Sequence, residues 1–398
     1  MGAAGKAAGP LSHRRRWYPD VVQQVAPPGT FDLGPGYLDP GLLPVDLLRG
    51  AYADALAEFG SAALSYGPNS GALPLRALLA DRLGPPCTPD HIMVTSGTSH
   101  ALHLIATILF RRHDVVLVEQ VGYDLGRAIL ADSGLRLRAV EMDDSGMVPE
   151  ALERALGAAG DTPAFVYLNP TFHNPTGLLV PSGRRRELLA VAAAYGVPVV
   201  EDDAYAEIGL TRSGMPDSMA ALSGYRGVIR LGSFSKSLAP GLRLGWLAAD
   251  PETVARIQAH HVFDSGGSPN HLASLAVTTL LATGAYDRHL TWLRSALRDR
   301  RDALAAALSA NLPERFVFDR PAGGFFLWVT ADGERDERGL VTAARNADVR
   351  VLAGGRFGRP ARPSVRLAYS FNSPPRLTAA AHRLAAAWKS TERRLPCS

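Results

Sequence analysis

SFSKSLAPGLRLGW (residues 233–246) joins two apolar runs, GVIRLGS (227–233) and LGWLAA (244–249), and carries the only lysine between Lys6 and Lys389. The chain otherwise draws its positive charge from arginine, so an amine at Lys236 calls for a chemical reason. A lone loop lysine is most often a solvated charge. Here Ser233 stands three residues before it and Arg243 seven after, and hydroxyl and guanidinium groups are good phosphate ligands. The link between the two runs is only about ten residues long. That is too short for a crossover helix, so one of the two strands is expected to run antiparallel to its neighbours.

Outward from this stretch, β-branched runs recur at 91–96, 115–120, 135–142, 164–169, 197–203, 227–233 and 244–249. Between most of them lie alanine- and leucine-rich segments such as 99–112 and 182–196, with apolar residues at helical spacing. Alternation of strand and helix predicts an α/β domain around a mostly parallel seven-stranded sheet buried on both faces. After residue 250 the pattern changes to a long helical region (270–311, with breaks), strands near 315–332, 348–357 and 364–371, and a closing helix over 376–395. This reads as a smaller α+β domain. The expected division is a flexible tail (1–15), an arm contributing to the small domain (16–45), a large domain (46–285) and a small domain (286–398), hinged near 285–300.

Bulk properties narrow the function. Hydrophobic residues are 46% and charged residues 20% of the 398, the balance of a globular protein, with no apolar run of membrane-spanning length. No secretory leader is expected at the N-terminus, and two cysteines, Cys87 and Cys397, fit a reducing cytoplasm. The net charge is +4, but its basic clusters are scattered, which argues against nucleic acid as a partner. His100 and His103 are spaced for metal ligation but lack an acidic or thiol companion, so no metal is expected.

Four further motifs share one chemistry with the lysine. In VTSGTSHALHL (94–104) a strand enters a helix through Gly97, Thr98 and Ser99, whose backbone N–H groups can hold an anion; an ordinary N-cap is the plainer reading. VVEDDAY (199–205) ends an apolar strand in acids, where open α/β sheets bind ligands. Asp202 can keep a pyridinium nitrogen protonated and Tyr205 can reach a phenolic oxygen on the same ring, although an acid here can also cap a helix. In YLNPTFHNPTG (167–177) each proline holds the preceding residue extended, exposing Asn174, while Pro170, Pro175 and Gly177 also serve a turn. Tyr123 in VEQVGYDLG (118–126) can stack on a ring or simply pack. Pyridoxal phosphate unites these requirements: an aldehyde that an amine such as Lys236 can condense with, a phosphate, and a pyridine ring.

Together the five motifs resemble fold-type-I pyridoxal-phosphate enzymes and, within them, the class I/II aminotransferase family, from about residue 31 to 371. The resemblance implies an aminotransferase in which Lys236 carries the cofactor and passes an amino group from an amino acid to a 2-oxo acid. It implies that Arg366, in VRLAY, takes the substrate carboxylate, and that Tyr66, in YGPNSGALPLRALLADRLG (66–84), reaches the phosphate of a neighbouring subunit in a homodimer. Gly36 and Tyr37 in GPGY (34–37) are candidate substrate contacts. Two departures bear on the substrate. QVGYD has glycine where the family often has proline before its tyrosine, and His173 stands where glutamine is common, either facing the substrate or bonded within its turn. The same scaffold also supports C–S β-lyases and decarboxylating or oxidative deaminases. GGRFGRP (354–360) resembles a nucleotide loop only superficially, since it follows a small-domain strand. Regulators that resemble this family carry a DNA-binding winged helix, for which the ~30 residues before the matching region are expected to be too few.

Overall fold

A computed structural model describes residues 26–27, 29–158, 163–211, 214–332 and 337–390. The tail expected at 1–15 lies outside them. The strands in chain order are β1 (Phe31–Asp32), β2 (Ile92–Thr95), β3 (Val115–Glu119), β4 (Arg136–Val140), β5 (Met142–Asp143), β6 (Gly146–Met147), β7 (Phe165–Leu168), β8 (Val199–Asp202), β9 (Val228–Ser233), β10 (Gly245–Ala248), β11 (Phe316–Val317), β12 (Phe326–Ala331), β13 (Val349–Arg350), β14 (Leu352–Ala353) and β15 (Ser364–Ala368). Seven of them build the main sheet in the order β2-β10-β9-β8-β7-β3-β4. All seven correspond to the runs read from the sequence: the inner strands are largely apolar because helices cover both their faces, while the edge strand β4 (RLRAV) keeps arginines and is partly exposed.

β10 is the reversed strand, antiparallel to both β9 and β2, while β9-β8, β8-β7, β7-β3 and β3-β4 are all parallel. This reversal matters for the site. The carboxyl ends of six strands lie along one edge, and the start of β10, just after Arg243, lies along the same edge. β9 and β10 approach unusually closely there. A Cβ on Gly245 would stand 2.7 Å from the Gly232 carbonyl oxygen and 2.7 Å from the Cα of Gly97, so only glycine fits.

Helices cover the sheet on both faces and leave two apolar layers. One contains Val94, Leu117, Val166 and Val199, the other Met93, Val116, Phe165 and Val200, as the two-residue strand period requires. Local signals set the helix starts: Asp250 accepts from Thr253 N at 2.9 Å with Pro251 as first helical residue, and Ser218 accepts from Ala221 N at 3.1 Å. Among the described residues no helix is long and apolar enough to cross a membrane.

The small domain is a sheet β11-β12-β15-β14 packed on helices Ala285–Asn311, Glu337–Asn346 and Pro374–Ser390. Residues 31–42 belong to it. β1 pairs in parallel with β13, and Leu33, Leu38 and Leu42 enter its core. No break exists at 285–300. Helix Ala285–Asn311 runs through that region, with Tyr286 and Leu290 in the large-domain core and Leu293, Leu297 and Leu304 in the small-domain core. Alanine and leucine spaced along one helix can serve two cores in succession, so composition shows no boundary where packing changes partner.

Candidate active site

Lys236 lies in the loop between β9 and β10, at the sheet edge where the strands' carboxyl ends gather. Its Nζ donates to the Gly36 carbonyl at 3.0 Å and stands 5.5 Å from the centre of the Tyr205 ring. Desolvation lowers the amine from 10.5 to about 8, partly opposed by Asp202 and reinforced by Arg366 and Arg243. A lysine brought toward neutrality is a competent nucleophile and base.

Asp202 ends β8 and is 3% exposed. Burial raises its carboxyl from 3.8 to about 6, against a 2.8 Å hydrogen bond donated to Oδ2 by the Tyr167 hydroxyl. The Asn169 side-chain amide donates to the Asp202 carbonyl, and Asn169 Oδ1 accepts from Asn174 N at 2.7 Å. Asn174 Oδ1 in turn accepts from Arg366 Nη1 at 2.7 Å, while Arg366 Nη2 donates to the Gly34 carbonyl at 2.7 Å. One hydrogen-bonded chain thus joins the acid, the turn and the arginine.

A buried pair holds that turn in place. Arg185 is fully buried and donates to the Pro170 carbonyl and Thr171 Oγ1, each at 3.0 Å, and to the Val180 carbonyl at 2.9 Å. Its charge is met by buried Glu201 at 3.5 Å. Arg366, 5% exposed on β15, rests on the rings of Phe326 (3.9 Å) and Phe357 (4.7 Å). Burial lowers it from 12.5 to about 10, and its Nε is buried without a hydrogen-bond partner. A buried guanidinium short of one acceptor suits a carboxylate ligand.

The other end of the site gathers Gly97, Thr98, Ser99, Ser233 and Arg243. Gly97 caps the helix Thr98–Leu104 at φ 83°, and a Cβ there would stand 3.2 Å from Arg243 Nη2. Arg243 Nη2 donates to the Ser96 carbonyl at 2.8 Å, and Ser233 Oγ accepts from Ser235 N at 3.1 Å. Tyr123 shares a hydrogen bond with Ser99 and is pushed up to about 12, by burial first and then by Asp202 and Asp124. Bare glycine backbone beside a guanidinium, two hydroxyls and helix N–H groups suits a phosphate. With Lys236 and Asp202 alongside, the residues present fit pyridoxal phosphate.

A cleft of about 520 Å³ opens over Lys236, Tyr205 and Arg366, walled in part by Tyr37, Tyr123, Leu125 and Leu352. Tyr37 meets Phe371 edge-on at 5.3 Å, and Gly36 lies so close to Phe326 that a Cβ would come within 3.1 Å of its ring. His173 is a correction. It is 0% exposed, its Nδ1 is 2.8 Å from Thr176 Oγ1 and its Nε2 is 3.3 Å from Glu119 Oε2, so it belongs to the turn and not to the cleft. Tyr66 stands apart from the cleft and is 86% exposed.

Several site residues escaped the sequence reading: Tyr167 and Asn169, which orient Asp202 and Asn174, and Arg350 and Arg356, which line the cleft paired with Asp32 and Asp124. Asn169 sits in a quoted Asn-Pro step and could have been found there; Tyr167 reads as an apolar strand residue. His100 and His103 are engaged locally, His100 Nδ1 accepting from Ser96 N at 3.1 Å and His103 lying 3.3 Å from Ser133 Oγ. Among the described residues no cluster of three potential metal ligands occurs.

The family described as "Aminotransferase class I and II" matches residues 37–384. The 2-aminoadipate transaminase of Thermus thermophilus is 33% identical, with 89% of this chain and 88% of that protein aligned. The crystal structure of LysN, the α-aminoadipate aminotransferase of Thermus thermophilus in complex with N-(5'-phosphopyridoxyl)-L-leucine, superposes with a TM-score of 0.83 at 31% identity, covering 92% of this chain and 94% of that one. An uncharacterized HTH-type transcriptional regulator of Bacillus subtilis (strain 168), YisV, is also similar: 32% identical over 86% of this chain and 70% of its own length. Agreement in sequence over 89% of the chain and in fold over 92%, at a site whose residues fit the cofactor, makes this chain a member of the class I and II aminotransferases, enzymes dependent on pyridoxal phosphate.

Proposed function

We propose that the enzyme passes an amino group from an amino acid to a 2-oxo acid in a ping-pong exchange, one substrate leaving before the other binds. The observation that carries this reading is that Asn174 and Arg366 line one cleft with the amine of Lys236 and are joined by hydrogen bonds through Asn169 to the buried Asp202 behind it. When bound, pyridoxal phosphate supplies an electron sink for the bonds at the substrate Cα. The protein does the rest. Ser233, Arg243 and the N–H groups of Gly97, Thr98 and Ser99 would hold the phosphate, and Tyr123 would cover the ring. The Asp202 carboxylate holds a proton on the ring nitrogen. Asn174 has its Oδ1 occupied by Arg366, which leaves its Nδ2 to donate to the ring's phenolic oxygen beside Tyr205.

Arg366 would hold the substrate carboxylate and so aim the Cα–H bond toward Lys236. Nζ would take the Cα proton and deliver it to the cofactor-side carbon within the same half of the exchange, with the reverse transfer in the second half, a task suited to an amine poised near neutrality. A panel of amino acids with 2-oxoglutarate or pyruvate as acceptor tests the reading. Initial rates at several fixed acceptor concentrations are expected to give parallel double-reciprocal lines. Intersecting lines contradict the ping-pong order, and ammonia with pyruvate released from an S-substituted cysteine would instead mark a C–S lyase.

The proposal extends to a homodimer. The loop after Tyr66 packs against 264–271, with Asn69 Nδ2 donating to Asp264 at 3.2 Å and Ser268 N to the Pro68 carbonyl at 3.1 Å. From that segment Asn270 bonds the Arg243 carbonyl. The loop after Tyr66 is thus tied through Asn270 to the phosphate end, while Tyr66 itself is exposed, with Leu64 (72% exposed) and Leu73 (55%) also uncovered. A second copy is the proposed cover, with Tyr66 entering its site. Sedimentation is expected to give twice the chain mass for active enzyme; a fully active monomer would contradict it.

A further inference from the structure

Two motifs left over from the sequence, QVGYD and GGRFGRP, meet in space. Phe357, in the 3-10 turn Gly354–Phe357 of the small domain, offers its carbonyl to two large-domain donors: Gly122 N at 2.9 Å and Arg127 Nη1 at 2.9 Å. Val121 and Gly358 form an antiparallel bridge. Arg359 N donates to the Gln120 carbonyl at 3.2 Å, and Gln120 Nε2 returns a bond to the Arg359 carbonyl at 2.7 Å. Arg356 and Asp124 close the strap with an ion pair. The approach is tight, since a Cβ on Gly358 would fall 2.1 Å from the Gln120 carbonyl oxygen.

Each side of this strap ends on a functional group. Gly122 is followed at once by Tyr123, which covers the cofactor ring. Phe357 is 1% exposed, and its ring is one of the two that support Arg366. We propose that the strap fixes the spacing between Tyr123 and Arg366, and that the backbone N–H of Gly122 is the positioning group that holds it. The inference rests on the assignment of Tyr123 to the ring and Arg366 to the substrate carboxylate. A carboxylate held at the wrong distance from the ring misaims the Cα–H bond, and small misplacements are costly for rate and for binding.

Gly122→Pro removes this donor and sets the ring Cδ against the Phe357 carbonyl that the N–H had faced at 2.9 Å. Val121 is extended, the conformation a following proline requires, and a Cβ at 122 would meet only Glu119 Cβ at 3.8 Å. Gly122→Ala adds only the Cβ and keeps the N–H. In the holoenzyme, each variant is mixed with the amino acid that the wild type converts fastest. Gly122→Pro is expected to raise the concentration for half-saturation about ten-fold or more, with a smaller change in limiting rate and the yellow absorbance intact. Amide hydrogen exchange should quicken across 120–127 and 352–359. Gly122→Ala should match wild type in both readouts, and Arg127→Met should move both in the proline direction by a smaller factor.

Wild-type saturation and protection in Gly122→Pro overturn the proposal, as does an alanine variant that behaves like the proline one. If the proline variant does not fold, Arg127→Met decides, and unchanged saturation and exchange there overturn it. If no amino acid converts the wild-type cofactor, the proposed function fails, while the exchange comparison still tests the strap separately.

Discussion

Lys236→Ala is expected to lower turnover by about 10⁴-fold or more, because one amine both anchors the cofactor and moves the Cα proton. No other lysine lies between Lys6 and Lys389, so no neighbouring amine substitutes for it. Its environment prepares it for both tasks. With the amine lowered to about 8, about a tenth is neutral at pH 7, far more than for an ordinary lysine at 10.5. Cofactor capture by the apoprotein should therefore rise about ten-fold per pH unit below 8 and level off above it. The phosphate ligands are untouched by the substitution, so the alanine variant should still bind the cofactor without a covalent link. Borohydride reduction followed by peptide mapping checks this: wild type should carry the label on the peptide containing Lys236, and the variant should carry none. A variant labelled to the wild-type level would remove Lys236 from its role.

Asp202→Asn is the second large effect. The side chain keeps its shape and can still accept from Tyr167, so what it loses is charge at the point where the ring nitrogen holds its proton. Removing one preorganised electrostatic partner in a desolvated site typically costs about 10²–10³ in kcat. Saturation by amino acid should change far less, because Arg366, the proposed carboxylate ligand, is held by Asn174 Oδ1 and the Gly34 carbonyl and touches the Asp202 side chain through neither. Tyr167→Phe should act in the same direction but more weakly. The Tyr167 hydroxyl favours the charged carboxylate against burial, and without it Asp202 moves further up from about 6. An Asp202→Asn enzyme within a few-fold of wild type in kcat would contradict the assignment.

What could be read from sequence follows from what each element needs. Strands buried on both faces advertise themselves as apolar runs, and the ten-residue link between β9 and β10 forbids a parallel crossover, so sheet and reversed strand were both legible. Lys236, Ser233, Arg243 and Asp202 stand out in the sequence because each sets a charged or hydroxyl group close to a strand end, and the structure places all four along one edge of the main sheet. Pairings across the fold do not stand out. β1 meets β13, more than three hundred residues away, through only two residues on each side, too few to leave a pattern. Tyr167 points into the layer around Asp202 from an otherwise apolar strand, and Arg350 and Arg356 reach the cleft only because the small domain folds over it. His173 is ambiguous in the sequence, either facing the substrate or bonded within its turn, and its buried place beside Thr176 and Glu119 favours the second.

The central claim is that this cleft exchanges an amino group and stores it between substrates. It is tested most directly by mixing holoenzyme with an amino acid in the absence of any acceptor. The account predicts loss of the yellow absorbance with one equivalent of 2-oxo acid released per site, no ammonia, and full return of the colour when a different 2-oxo acid is added. Continuous release of ammonia or carbon dioxide with the yellow form persisting would contradict it.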